Sequence, residues 1–430
     1  MGRDSFRLEL LDRWQRPPVV APHRGTLRAR VREAAGIAPD SVVTQKGEID
    51  RAFAGRPDAA PFLEASRSAR RVSLAIPDAT RRGPWEACLE SAVRWLTERT
   101  PEASSRNILA ATGVHRPSLP DGIRLPDGWS VIANGQGGYA KHQLVGTTGA
   151  GTEVRLHPAW VEADLRVVLA DLSFHYFAGF GGGRKLVFPG LGEPAGILSN
   201  HKRCLTSDGT LHPACESGNL TGNPVHEDLV DAVSLCPPDL LIQAYEPAPG
   251  DPTVLSMGHW REEHERGCLA YLQGHALDHT QRAEVLIADA GGFPRDASLL
   301  QAHKSLRHAS RFLAPGGRLL LVAGLEDGSG SETFERLWAL PSSELARRAA
   351  ENYELHLHTA LSLRTICENF EIGILSRMEP DRLATARIQP FGRLEDAVDW
   401  LEARGKPRAW GWLGRAEEVV PHLVGQGGDG

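Results

Sequence analysis

The chain has 430 residues, 41% hydrophobic and 24% charged, with 48 basic against 54 acidic side chains and a net charge of −6. That length suggests two or three domains, and the composition excludes disorder, a collagen repeat and a disulfide scaffold. The slight acidic excess argues against a broad basic surface for nucleic acid. Only six of the basic residues are lysine (Lys46, Lys141, Lys185, Lys202, Lys304 and Lys406) and the other 42 are arginine. Each lysine therefore raises the question of whether its position needs an amine.

The opening MGRDSFRLELLDRW is charged throughout and has no signal-peptide core. No run approaches the ~18 apolar residues of a membrane span. Six scattered cysteines without a C-x-x-C pair read as reduced core residues. The expectation is a cytoplasmic protein without a membrane partner; the oligomeric state is not legible.

In chain order, RVSLAI (71–76), NILAAT (107–112), SVIAN (130–134), LRVVLADL (165–172), LLIQAY (240–245), EVLIADA (284–290), RLLLVAG (318–324) and EIGILS (371–376) read as strands. Several are apolar on both faces, as buried parallel strands are. Helical spacing appears over 85–99, 297–313, 332–340 and 394–405. The alternation predicts an α/β fold of two lobes with mostly parallel sheets. A break near 275–283 separates an N-terminal lobe over 1–280 from a C-terminal α/β lobe over 281–394. Residues 395–430 are free to rejoin the first lobe.

The ends of two of these strands carry polar sets. RVSLAI delivers Asp78-Ala79-Thr80-Arg81-Arg82, and NILAAT delivers Gly113-Val114-His115-Arg116-Pro117. Ligands in open parallel sheets sit beyond the carboxyl ends of strands, which makes Asp78, Arg81 and His115 candidates. Helix caps and surface ion pairs are the plain alternatives. The stretch DLSFHYFAGFGGGRKLVFPG runs from Asp171 through His175 to Gly179, Gly181, Gly182 and Gly183, then Arg184 and Lys185. It matches neither the P-loop nor the dinucleotide pattern, so it reads as an anion-cradling loop of another type or a ligand-free turn.

Asn200-His201-Lys202 follows, with no neighbouring histidine pair that would build a zinc site from protein alone. A metal on His201 would need ligands from a cofactor. GNLTGNPVHEDL (218–229) reads mainly as a packing and helix-start element. ADAGGFPRDASLLQAHKSL (288–306) places Gln301 and Lys304 at i, i+3 on one helical face. The following LAPGGRLLLVAG is reminiscent of Rossmann-like methyltransferases, but no glycine loop follows a first strand.

In order, DATR, TGVHRP, FHYFAGFGGGRK, SNH, GNPVHED and GGFPRDASLLQAHK resemble the nickel-dependent lactate racemase family over roughly residues 70–380. The resemblance implies nickel and a pincer nucleotide, pyridinium-3-thioamide-5-thiocarboxylic acid mononucleotide, covalently linked at Lys185. It implies His201 as the metal ligand, completing a planar set of two sulfurs and one ring carbon from the cofactor. His115 and His175 look like the acid/base pair, a role suited to histidine's titration near neutrality. Arg81, Gln301 and Lys304 resemble the groups that bind substrate carboxylate or cofactor phosphate, Asp78 orients its neighbours, and the glycines approach the phosphate. The implied reaction is racemisation or epimerisation of a 2-hydroxy acid by reversible hydride transfer, with the cofactor in a cleft between the lobes. The implied partners are a small-molecule substrate and the enzymes that build the cofactor.

Three positions depart from the family pattern. Gly181 stands where a serine is usual, the later motif reads Leu355-His356-Leu357-His358-Thr359-Ala360 without its lysine, and Leu300 stands where an aromatic is expected. These changes bear on the substrate, so a larger hydroxy acid or a sugar acid is an expectation beside lactate. A homologue that binds the cofactor without racemising anything is the alternative, and a methyltransferase a more distant one.

Overall fold

The computed structural model describes residues 59–81, 83–116, 118–119, 127–279 and 281–423, with Ile49, Ala52 and Phe53. Lys46, Arg82, Pro117 and the tail beyond 423 lie outside the described residues. Two compact units emerge. One comprises the described residues up to Cys204 with Pro213–Gly274; the other comprises Leu205–His212 with the described residues from His275 onward.

The first unit is built on a six-stranded sheet. Its strands are β1 (Arg71–Pro77), β2 (Ser105–Ala111), β3 (Trp129–Ala133), β6 (Leu165–Asp171), β9 (Leu240–Tyr245) and β10 (Val254–Gly258). The order is β10-β9-β6-β1-β2-β3, parallel except for the β9–β10 pair. Six of the seven residues of β1 are buried, which is why RVSLAI shows no alternation. Beneath the sheet the helix Trp85–Arg99 buries Trp85, Cys88, Leu89, Ala92, Val93, Trp95 and Leu96, a stripe at helical spacing. Two small hairpins complete the unit, β4 (Gln143–Thr147) with β5 (Glu153–Leu156) and β7 (Phe174–His175) with β8 (Gly179–Phe180).

From β1 the chain moves to β2 and β3 on one side, then to β6 and β9 on the other. The sheet order therefore reverses between β1 and β6, and a ligand crevice is expected beyond their carboxyl ends. Asp78 follows β1, and the histidine–glycine segment follows β6.

In the second unit β12 (Ala283–Asp289), β13 (Leu313–Val322), β14 (Glu371–Leu375), β15 (Gln389–Phe391) and β16 (Trp410–Leu413) form a fully parallel sheet. Its order, β15-β14-β13-β12-β16, reverses beside β12. A further parallel pair joins β11 (Ala276–His279) to β17 (Val420–Leu423). Of the segment from 395 onward, Trp410–Leu413 form β16 in this sheet, where Trp410 and Trp412 pack on Val285, Ile287 and Leu320. The helix expected over 297–313 spans Leu299–Ser310, because Leu313 already begins β13.

Trp410 is fully buried at that sheet position. Trp410→Ala is expected to cost about 3–5 kcal/mol, the range for emptying a buried aromatic site. Urea unfolding followed by far-UV circular dichroism would read it. A loss under about 1 kcal/mol would show that the β16 edge does not hold the unit together. Among the described residues no helix is long and apolar enough to cross a membrane.

Candidate active site

The end of β1 places Asp78, 1% exposed, in a tight turn. Its Oδ1 accepts hydrogen bonds from the Thr80 amide at 2.7 Å and the Thr80 hydroxyl at 2.5 Å. Its Oδ2 lies 2.8 Å from His115 Nδ1. Burial alone would raise the Asp78 pKa. The hydrogen bond and charge of His115, the Thr80 hydroxyl and the Arg81 charge outweigh burial and hold the carboxyl below its ordinary 3.8. An ionised carboxylate only accepts, so His115 Nδ1 carries a proton, and when the ring is neutral Nε2 is the nitrogen that holds the lone pair.

Asp78→Asn is expected to cost about 1.5–3 kcal/mol, the range for hydrogen bonds to a charged group. A depressed carboxyl pKa contributes stability that is complete above 3.8 and fades as pH falls through the folded value. Urea midpoints of wild type and variant should differ near pH 7 and converge in acid, once pH has fallen through the folded value that lies below 3.8. A gap unchanged in acid would exclude the ionised carboxylate as its source.

The His115 turn is held from both sides. The Gly113 amide donates to Gly190 O at 2.9 Å, and the Tyr139 hydroxyl donates to Gly113 O at 3.0 Å. Burial pushes the Tyr139 pKa up, which keeps the phenol a donor. These contacts bring the end of β2 against the segment that follows Lys185. Arg81 is exposed at the end of β1, and its carbonyl accepts from the Trp85 indole at 2.9 Å.

Beyond β6 the chain makes the β7–β8 hairpin and then a single 3-10 turn, Gly183–Leu186, that carries Lys185. Three predicted residues meet around one ring that sequence reasoning did not single out. The Phe177 centroid lies 4.5 Å from the His175 ring, 5.1 Å from the His201 ring and 5.7 Å from Lys185 Nζ. The Ala178 amide donates to His175 Nδ1 at 3.2 Å, which leaves the proton of the neutral ring on Nε2. His201 sits in the last turn of the helix Pro194–Lys202.

The segment GNPVHED does more than start a helix. Asn223 caps the helix Pro224–Ser234, its side-chain oxygen accepting from the Val225 and His226 amides. Its Nδ2 donates to Phe177 O at 3.0 Å and so fixes the ring's backbone. Asp228, buried on the same helix, accepts from Asn200 Nδ2 at 2.8 Å and from the hydroxyls of Thr148 and Thr152 at 2.7 and 2.9 Å. The residue next to His201 is thereby tied to the β4–β5 hairpin. Asn before Pro was a legible cap signal; the two tethers were not, because they depend on tertiary position.

The glycines have a packing explanation beside the anion cradle expected of them. A Cβ at Gly182 (φ 70°) would collide with Asp171 O, one at Gly183 (φ 50°) with the His264 ring, and one at Gly179 with Asn219 O. The chain's own close packing therefore requires these three glycines. At Gly181 a Cβ would stand 3.0 Å from Ser173 Oγ, so a neighbouring hydroxyl already crowds the position where a serine was expected.

In the second unit Lys304 Nζ donates to Gln301 Oε1 at 2.6 Å, so the predicted i, i+3 pair is formed on the helix Leu299–Ser310. Among the described residues no three His, Cys, Asp or Glu side chains gather as a metal site. Two imidazoles and one amine beside Phe177 fit a metal that arrives with most of its ligands, rather than one held by protein alone.

Comparison with known proteins places both parts of the chain. The lactate racemase N-terminal domain matches residues 28–211, and the lactate racemase C-terminal domain matches residues 278–382. The chain is 27% identical over 275 residues to the lactate racemase of Thermoanaerobacterium thermosaccharolyticum, and 28% identical over 281 residues to that of Lactiplantibacillus plantarum. Those alignments cover 62% and 63% of this chain and span 63% and 64% of the two relatives. The fold matches the lactate racemase apoprotein of T. thermosaccharolyticum with a TM-score of 0.79 at 21% identity, over 89% of this chain and 94% of that one. A Thermotoga maritima protein matches at 0.68 and 14% identity, over 90% and 100%. With both domains matched in order, this chain belongs to the lactate racemase family.

Proposed function

We propose that the chain is a racemase or epimerase of 2-hydroxy acids that works with a nickel-pincer nucleotide linked to Lys185. The observation that carries this reading is the meeting of His175, His201 and Lys185 around the Phe177 ring, at the reversal point of the first sheet. His201 would ligate the metal and Lys185 would hold the cofactor. When bound, the cofactor supplies the acceptor and donor of hydride at C2.

The chain's own residues supply the proton chemistry. His115, its Nδ1 engaged by Asp78, presents the Nε2 lone pair to a substrate hydroxyl and takes its proton. The charge gained on the imidazole is balanced by the ionised Asp78. His175 presents Nε2–H and can donate to the same oxygen as its charge grows. Arg81 offers a forked donor for the substrate carboxylate; Lys304, steadied by Gln301 on its own helix, is the proposed cationic group of the second unit. The small-molecule acid and the enzymes that build the cofactor are the proposed partners.

The test uses single enantiomers of 2-hydroxy acids deuterated at C2, with chain matured beside the cofactor-building enzymes. Loss of optical purity with the deuterium retained supports the proposal. Wash-out of the label would replace hydride transfer with proton abstraction. An adduct and nickel without racemisation of any acid would make the chain a cofactor-binding homologue.

A further inference from the structure

Behind the Lys185 turn lies a buried cation with an unusual set of neighbours. Arg184 is 1% exposed, and among the described residues no carboxylate lies within ion-pair distance of it, the Glu265 charge acting on it only from farther away. Its Nη1 instead meets His264 Nε2, and its Nη2 donates to Ala178 O at 3.2 Å. A guanidinium cannot accept a hydrogen bond, so His264 Nε2 must be the acceptor and Nδ1 must hold the proton. That proton points to Gln243 Oε1 at 3.1 Å, on strand β9 of the first sheet. Burial, then the charges of Arg184 and His226, hold the His264 pKa far below 6.5, so the ring stays neutral and able to accept.

Burying a cation without a directly paired carboxylate is costly, and a purely structural contact would be made more cheaply by an apolar side chain. The arrangement does one thing an apolar residue cannot. The guanidinium spans the chord of the loop, joining Ala178, next to the Phe177 ring, to the residue that precedes Lys185. The far end is anchored through His264, on the helix Trp260–His275, to the sheet. The collision that a Cβ at Gly183 would make with the His264 ring shows how closely that helix backs the turn.

We infer that Arg184, His264 and Gln243 form a brace that positions the Lys185 amine against Phe177. They are positioning residues, since Arg184 and His264 act through the loop. The inference rests on the reading of Lys185 as the cofactor attachment point, but the brace is measurable without it.

Four variants separate bridging from charge and from packing. Arg184→Lys keeps the charge and loses the two-point bridge. His264→Leu removes the acceptor. His264→Gln restores an acceptor and a donor, and Gln243→Met removes only the anchor. In the cofactor-free chain, acetylation of Lys185 by a water-soluble ester is followed by peptide mass mapping, with Lys141 of the same molecule as reference. Intact mass after maturation reads the Lys185 adduct, and thermal melting checks the fold. Arg184→Lys and His264→Leu should raise Lys185 acetylation about fivefold relative to Lys141 and lower the adduct by a similar factor, while His264→Gln stays near wild type. If His264→Leu fails to fold, Gln243→Met carries the same expectation at about half the effect. Unchanged acetylation in Arg184→Lys overturns the brace, as does a His264→Gln chain that behaves like His264→Leu. An adduct absent from wild type defeats the Lys185 reading alone, because the acetylation ratio still reports on the brace.

Discussion

Chain carrying Lys185→Arg, matured beside the cofactor-building enzymes, is expected to show the unmodified mass, no stoichiometric nickel and no racemisation. The expected loss of turnover is on the order of a thousandfold or more, because the bound group carries the difficult bond change. Arginine keeps the positive charge beside the Phe177 ring, 5.7 Å from Lys185 Nζ, so simple electrostatics survive. What disappears is a primary amine that can lose its proton and bond to a thioacyl carbon; a guanidinium stays protonated and is a poor nucleophile. The backbone of the turn does not depend on the side chain, since it is held by Lys185 N to Gly182 O at 3.0 Å and Gly190 N to Lys185 O at 2.9 Å. The variant should therefore melt near the wild-type temperature. If it carried the adduct, the attachment point would lie elsewhere; if it racemised without one, covalent attachment would not matter.

Strands buried on both faces were legible in the sequence, and LLIQAY occupies the expected 240–245. Short runs such as Trp410–Leu413 were not, because four apolar residues have no period until the sheet supplies neighbours. The same limit applies at the site. His115 and Asp78 were readable as strand-end residues, but their 2.8 Å contact joins two strands through the parallel register of β1 and β2. Phe177 sat inside a quoted motif and passed as one aromatic among several, since its role comes from the β7–β8 turn that aims the ring. The glycines show the reverse case. Their number suggested a ligand, and tertiary packing against Asp171, Asn219 and His264 accounts for Gly179, Gly182 and Gly183. The lysine count pointed toward Lys185 and Lys304 without distinguishing attachment from hydrogen bonding; the Lys304–Gln301 contact shows the latter.

The two histidines should prove unequal. In its neutral form His115 has its lone pair on Nε2, because ionised Asp78 accepts a hydrogen bond from Nδ1. His175 rests with the proton on Nε2, because the Ala178 amide donates to Nδ1. A base must offer a lone pair, so the neutral His115 tautomer is already the one a base needs. His175 must first move its proton to Nδ1 and give up the Ala178 hydrogen bond. In a single turnover, the enantiomer whose hydroxyl faces His115 should form 2-keto acid faster than its mirror image. His115→Ala should slow that enantiomer by about 10²–10⁴-fold, the usual worth of a positioned general base, and leave the first turnover of the other nearly intact. His175→Ala should do the opposite, while steady-state racemisation falls in both directions for either variant, since each complete conversion passes both groups. Rapid-quench assays of keto acid from each pure enantiomer read the difference. Equal losses for both enantiomers in each variant would mean that one histidine serves both hydroxyl orientations, and the two-base assignment would have to be abandoned.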